Sequence, residues 1–474
     1  GDGEADQAAA LAIKLFPGLL GVPVTLLNVG YVVAYAQTLA ACASLLSSQR
    51  AVAGAPPDVH RFKLTAMKKL VALFKERDPT LLRGARDASL SVIRAAGDGG
   101  GVALLEELPE LCRPLLGYEA KGAWHHALPV VAGLFRAFDA VRTKLSPAEI
   151  PEWTRARFER VRALLRDLVD IRDKAMGREL NSFGKDLSEC IGSAVAAFGP
   201  ELVLGVAELQ LLQHSLGDQA YEQRSRSWML LVLGEHCHRT SLAFFASHFL
   251  PLASTVRGRM VEAETAMPIH WKKYEAMLDQ IWALLPGFCD EPLDLGPAML
   301  AEGGRLAKQM VSVLLNERQL REHVWLAFTR ACNAAREPPS ALALALRDAN
   351  LSCLRTLSGR VLPEMFNAYV KVHAESEGQD TATAGHTRQG ALAAVQSYVR
   401  IAEPAQVGGH FKTLVARMLK ATTAEAGAMA VAEQAQAVPV AELAAALVPH
   451  LAVEFLELAL KVFAPMLNRV ETAE

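Results

Sequence analysis

Helix-start and helix-stop signals punctuate the whole chain, and between them apolar residues recur at intervals of three and four. The stretch SPAE sets Ser146 at an N-cap, Pro147 at the first helical position and Glu149 where a capping box needs a carboxylate. RDPTLL sets Asp78 before Pro79 in the same way, and Gly199-Pro200 opens ELVLGVAELQLL. Alternation of the strand kind is nearly absent. Cutting at these signals predicts roughly twenty helices, or about ten hairpins of the ~40–47 residues usual for HEAT-type repeats. No consensus repeats itself cleanly, so the period rests on the boundaries. A lone hairpin cannot bury its apolar stripe, whereas stacked neighbours can. The pattern therefore predicts an all-α fold, a HEAT/armadillo-type α-solenoid of roughly ten helical hairpins.

Growth by repetition also suits the length, because 474 residues exceed what one compact core serves. Hydrophobic residues make up 51% of the chain, which excludes a disordered polymer. With 49 basic against 51 acidic residues, the net charge of −2 exerts no global pull on nucleic acid, so any such binding must come from local patches. The 7 cysteines stand singly and form no CxxC, which points to a reducing compartment rather than a disulfide framework. The chain begins Gly-Asp-Gly without Met and reads as a fragment whose targeting tails lie elsewhere. No charge occurs between Lys14 and Arg50, a stretch long enough to span a membrane. However, Pro17, Gly18, Gly21 and Pro23 break its start, and polar residues such as Asn28, Gln37 and Ser44 dilute the rest. A buried solenoid helix is expected there, and no membrane partner.

AAGDGGG (95–101) is too rich in glycine for a helix, and ESEGQDTATAGHTRQG (375–390) lacks apolar periodicity. The expected organisation is N-terminal repeats over 1–117, a central block over 118–295, further HEAT-type repeats over 296–374, a polar loop at 375–390 and C-terminal repeats over 391–474.

Motifs for chemistry are missing. In GEHCHRT, His236, Cys237 and His238 are consecutive, and neighbouring side chains on a helix diverge by about 100°, too far to close on one zinc. His125-His126 fails likewise. GRELNSFGKD (177–186) has the wrong spacing for a phosphate loop, with Asp186 where a hydroxyl should hold magnesium. No nucleophile elbow, zincin helix or dinucleotide fingerprint appears. The residues thus supply no argument for catalysis, a cofactor, a metal or a small-molecule substrate.

Basic residues offer more. In RFKLTAMKKLVALFKER, Leu64, Met67, Leu70, Val71 and Phe74 make the buried stripe, while Arg61, Lys68 and Lys75 recur every seven residues along its flank. Lys69 lies nearby, and no acid intervenes before Glu76. Seven helical residues rise about 10.5 Å, so the three charges span roughly 21 Å, enough to track several phosphates. A second edge carries Arg155, Arg162 and Arg166, but Glu159 and Asp170 sit four residues from Arg155 and Arg166 and can neutralise it. These seven cations are the candidate RNA-binding residues. In DQIWALLPGFCDEPLDL (279–295), Leu278, Ile281, Trp282 and Leu285 have helical spacing, Pro286-Gly287 stop the helix, and Phe288 tucks back. Cys289 reads as a small buried apolar residue, the acids as solvated or capping, with Asp294 or Gly296 capping the next helix at Pro297. The stretch is a corner between helices. Trp124, Trp228 and Trp282 are assigned to packing.

The corner YEAMLDQIWALLPGFCDEPLDL also resembles a signature of the ribosomal RNA-processing protein 12 family, HEAT-repeat nucleolar factors of ribosome biogenesis. WHHALPVVAGLF (124–135), AFGPELVLGVAEL (197–209), RSRSWMLLVL (224–233) and LAFFASHFLPLA (242–253) follow the family's order. LPEMFNAYV (362–370) and TRQGALAAVQSYVRI (387–401) resemble its later repeats. The likeness is densest from about residue 118 to 295, and the first sixty residues match only as generic helical repeat. It implies a non-enzymatic scaffold, similar in build to importin-β-like receptors, in the nucleolus and nucleus with shuttling to the cytoplasm. The implied partners are pre-ribosomal RNA, assembly factors of the small-subunit processome and pre-40S particle, and nuclear transport machinery. The alternative is a karyopherin-like transport receptor that binds protein cargo or Ran. No basic tail or nuclear-localisation cluster accompanies the resemblance.

Overall fold

The computed structural model describes residues 2–22, 28–48, 59–99, 101–174, 181–213, 225–265, 267–375, 381–423 and 436–461. Helices supply the regular structure, and no strand occurs among the described residues. The chain divides into two compact units, Gly1–Cys237 and His238–Glu474.

The first unit holds α1 (Asp2–Gly21), α2 (Val29–Ser48), α3 (Val59–Ala72), α4 (Pro79–Asp98), α5 (Val102–Cys112), α6 (Trp124–Arg142), α7 (Ile150–Lys174), α8 (Gly184–Phe198), α9 (Pro200–Leu204) and α10 (Trp228–His236). Helices α2, α4, α6, α8 and α10 pack side by side in one layer, and α3, α5 and α7 form the other. Each hairpin (α3–α4, α5–α6, α7–α8) crosses between the layers, as in a HEAT-type solenoid. The core lies between them. At its centre Phe135, Phe138 and Phe158 surround Phe198 with ring centroids 5.4–6.3 Å apart. Such pairs add about 0.5–1.5 kcal/mol each beyond area burial.

Among the described residues, the charge-free segment forms the end of α1 and all of α2. Val29–Leu46 is long and apolar enough to cross a membrane by length and composition, and 44% of it is buried within the chain. Val32, Ala36, Leu39 and Ala43 are fully buried, and α2 packs on α4. Pro17 does not break the chain as expected, since α1 runs through it to Gly21. Pro23 lies outside the described residues.

The second unit holds α11 (Leu242–Phe244), a π-helical turn (Phe245–Phe249), α12 (Leu250–Ala263), α13 (Pro268–Trp282), α14 (Leu285–Phe288), α15 (Leu295–Asn316), α16 (Arg321–Arg336), α17 (Ala341–Glu375), α18 (Thr381–Val399), α19 (Pro404–Thr423) and α20 (Ala437–Leu447). Here α11, α15 and α17 pack in one layer and α14, α16 and α18 in the other, with the α19–α20 hairpin against α17 and α18. Helix α15 is kinked, because Glu302, Gly303 and Gly304 adopt φ of 50°, 65° and 81°. Two adjacent glycines lower the cost of that left-handed passage.

Bonds between neighbouring repeats join residues one period apart. His60–Glu107, Arg113–Asp167, Arg142–Ala196, Ser241–Asp294, Arg321–Glu375 and Leu354–Tyr398 span 44–54 positions. This exceeds the expected period at several steps. Short 3-10 turns between helices, such as Arg113–Leu116 and Tyr118–Ala123, take up the difference.

Local signals work unevenly. Asp78 caps α4 as expected, accepting from the Thr80 and Leu81 amides at 2.9 Å each. Glu149 reaches back to the Ser146 amide at 3.0 Å, but the Ser146 hydroxyl donates to Glu149 at 2.6 Å instead of capping, and α7 starts only at Ile150. The sequence predicts a glycine loop from residue 95, yet α4 continues to Asp98. The polar loop at 375–390 needs a larger correction. Residues 381–390 are helical, the first half of α18, and 376–380 lie outside the described residues. Most described side chains of that half are exposed, and burial begins at Ala391. Nothing there obliges an apolar stripe.

The segment 279–295 is a corner, with changes of detail. Helix α13 ends at Trp282, and Pro286 sits inside the short α14 rather than stopping a longer helix. Phe288 tucks onto Phe245 and Phe249 at 5.3 and 5.7 Å between centroids. Asp294 does not cap its own helix α15. Its carboxylate caps α11 in the neighbouring repeat, accepting from the Ser241 hydroxyl at 2.5 Å and the Leu242 amide at 2.6 Å. Two backbone bonds complete the interlock: the Arg239 amide donates to the Asp290 carbonyl at 2.9 Å, and the Leu293 amide to the Thr240 carbonyl at 3.1 Å. Arg239 and Glu291 hold φ of 52° and 51° there, a left-handed conformation sustained by these bonds.

Candidate nucleic-acid interface

Helix α3 turns its apolar stripe inward. Met67 and Leu70 are fully buried, Phe74 is buried in the 3-10 turn Leu73–Lys75, and Leu64 and Val71 are half-buried at the margins. Arg61, Lys68 and Lys75 are exposed on the outward flank, and none of the three has an ion-pair partner among the described residues. The other cations of the helix are engaged. Lys63 donates to the Leu46 carbonyl at 3.1 Å, and burial lowers its pKa. Lys69, half-buried, points its ammonium at the Val22 carbonyl at 3.5 Å. The ridge is thus three charges rather than four, and its last member stands on a tighter turn than an α-helix.

The adjacent helix α5 brings acids into the same layer, but neighbours hold them. Glu107 meets His60 at 2.7 Å, Glu106 meets Arg157 at 3.0 Å, and Glu110 lies 3.7 Å from Arg113. On α7 the shoulder toward α5 carries Arg157 and Asp167, the latter bound to Arg113 at 2.8 Å. Arg155, Arg162 and Arg166 lie exposed on the opposite shoulder. Their expected neutralisation is incomplete. Glu159 pairs with Arg162 at 3.3 Å, whereas Arg155 and Arg166 form no ion pair among the described residues. Three-apart geometry prevailed over four-apart for Glu159.

Sequence pattern does not single out the end of this layer. The turns that lead from α3 to α4 and from α5 to α6 lie together, with Leu73–Lys75 packed beside Tyr118–Ala123. Tyr118 is 72% exposed, and the Lys121 ammonium sits over its ring at 5.3 Å from the centroid. The signal was there in GYEAKG: an aromatic residue set between two glycines. The tryptophans behave otherwise. Trp124, Trp228 and Trp282 are 2%, 8% and 4% exposed, which confirms packing roles.

The remaining candidates separate in space. His236 faces Glu189 at 3.6 Å, Cys237 is buried, and His238 contacts Arg239 at 2.6 Å. His125 pairs with Asp186 at 3.2 Å and lies against Phe183, while burial and then Arg86 and Arg83 lower the pKa of its neighbour His126. No group of three His, Cys, Asp or Glu residues among the described residues could hold a metal ion. An apolar cleft between the π-helical turn and kinked α15 is lined by Ala243, Ser247, Leu250, Pro297 and Leu306, with Glu302 and Arg305 paired at 3.0 Å on its wall.

Relatives are found by sequence. The RRP12-like protein of Gallus gallus is 29% identical over 231 residues, covering 48% of this chain and 16% of that protein. Its counterpart in Homo sapiens is 30% identical over 225 residues, covering 46% and 15%. The chain therefore spans about a sixth of the length of these relatives. A crystal structure of importin beta aligns with 98% of this chain and 67% of its own at 12% identity, but with a TM-score of 0.29 the likeness bears on neither fold nor partners. The profile of "Ribosomal RNA-processing protein 12, HEAT repeats" matches residues 88–372, more than half of the chain, so the chain belongs to the ribosomal RNA-processing protein 12 family of HEAT-repeat proteins.

Proposed function

We propose that this chain is a non-enzymatic scaffold in ribosomal RNA processing, which holds pre-ribosomal RNA and assembly factors of the small-subunit processome and pre-40S particle in the nucleolus and nucleus. Family membership supports the process. The observation that supports RNA as a ligand is the ridge of Arg61, Lys68 and Lys75, exposed and without ion pairs among the described residues. A row of charges along a helix matches a phosphate backbone and offers no fixed donor pattern to base edges. Binding is then weak, tolerant of sequence and sensitive to salt, with specificity supplied by neighbouring proteins.

Each phosphate contact on a single strand contributes about 0.7 to the slope of log affinity against log salt. Changing Arg61, Lys68 and Lys75 together to Glu should flatten that slope by about 2 and weaken binding equally across RNA sequences, measured by fluorescence anisotropy. Helical circular dichroism should be unchanged, because the buried stripe is untouched. The same replacement at Arg155, Arg162 and Arg166 should weaken binding less, since Arg162 already bonds Glu159. Unaltered affinity and slope in the ridge variant, with loss of a protein partner, would identify a protein interface of the karyopherin kind.

A further inference from the structure

We infer that Tyr118 is a stacking platform for an unpaired RNA base, placed where the basic ridge ends. The inference rests on the RNA reading of that ridge and adds to it the class of RNA, single-stranded rather than duplex. The ridge runs along α3 into the 3-10 turn Leu73–Lys75, and this turn packs beside the turn that bears Tyr118. A strand that tracks Arg61, Lys68 and Lys75 is thereby delivered to an aromatic ring.

That ring is built unlike the other large aromatics nearby. Trp124, six residues later, is 2% exposed and bonds the Leu115 carbonyl through its indole N–H at 3.1 Å. Tyr118 is 72% exposed, with the Lys121 ammonium over its ring. A ring this exposed contributes little to packing. Lys121 polarises the ring through a cation–π contact and places a positive charge within reach of the phosphate that adjoins a stacked base. Gly117 and Gly122 flank the platform, and a Cβ at Gly122 would meet no atom within 4 Å. Three acids stand close by in sequence, Glu119, Glu76 and Asp78. Asp78 is engaged in capping α4, whereas Glu119 and Glu76, the latter directly after Lys75, form no ion pair among the described residues and oppose part of the positive charge.

Duplex RNA cannot use such a platform, because its bases are already stacked on one another. The test compares a labelled oligoadenylate with an RNA duplex of the same length, using the full 474-residue chain. Tyr118→Ala should weaken oligoadenylate binding about tenfold, with an unchanged salt slope, because stacking releases no counterions. Duplex binding should be unaltered, and Tyr118→Phe should bind oligoadenylate as the wild type does. The exposed position makes an effect on folding unexpected, and a thermal melt checks it. Photo-crosslinking of wild type to the oligonucleotide should map to the peptide containing Tyr118. Equal oligoadenylate binding by Tyr118→Ala overturns the platform. If at the same time the ridge variant loses binding, the RNA reading stands without it. Wild type that binds neither RNA overturns both.

Discussion

Cys289 has no solvent exposure, and its burial pushes the thiol up to about 12, as does burial of Cys112. The thiolate is the reactive form, so both groups are inert at neutral pH. All 7 cysteines are free and buried. We expect native protein to take up almost no iodoacetamide at neutral pH, and full alkylation after denaturation, read by intact mass. Cys289→Ala should change stability by about 1 kcal/mol and leave RNA binding intact, in keeping with a small apolar core group. The titration has a definite sign. The folded chain retains these protons to higher pH than an unfolded chain with thiols near 9.0. Their stabilising contribution is therefore complete below about pH 9 and is lost as pH rises toward about 12. The urea midpoint should fall across this range, and fall less in a Cys112→Ala/Cys289→Ala double variant.

At the scale of elements, Asp294 is the most consequential polar residue of the corner, since it ends one repeat by capping a helix of the repeat before it. Asp294→Ala leaves the Ser241 hydroxyl and Leu242 amide without their acceptor and should cost about 1–3 kcal/mol in a urea titration, with Asp294→Asn intermediate. A change below the error of the measurement would show that the Ser241 cap, which accepts from the Phe244 amide, suffices without Asp294. Sequence made the corner legible and not the bond. Trp282, Phe288 and Cys289 declare themselves by spacing and type, but Asp294 is 53 positions from Ser241 and the pattern invites it to cap its own helix. Likewise Asp78 could be read because its partners are two and three residues away. Helix α18 could not, since its first half has little to bury. Of the candidate interface, the inward stripe of α3 and the outward Arg61, Lys68 and Lys75 were readable from a period of seven. Lys63 and Lys69 as carbonyl-bound cations, the Arg162–Glu159 pair and Tyr118 beside Lys75 depend on neighbours that sequence does not identify.

For the whole molecule, two compact units of stacked hairpins imply that damage stays local. Stability in such arrays is a sum of repeat and nearest-neighbour contributions. Trp282 is 4% exposed and meets Phe245 edge-on at 6.3 Å, so Trp282→Ala should cost about 3–5 kcal/mol. Hydrogen exchange should show protection lost in α13 to α16 and retained in α6 of the other unit. Equal loss in α6 would mean that the chain unfolds as one cooperative body.

The spacing of inter-repeat bonds also governs how the chain is made. A bond such as Arg142 to the Ala196 carbonyl or Arg321 to Glu375 joins groups 54 positions apart. During translation at about 5–20 residues per second, each hairpin waits only some 3–10 seconds for the partner that covers its open side. The bond from the Tyr369 hydroxyl to Glu442 spans 73 positions and waits somewhat longer. The apolar surface bare at any moment as this chain emerges is therefore about that of one or two hairpins.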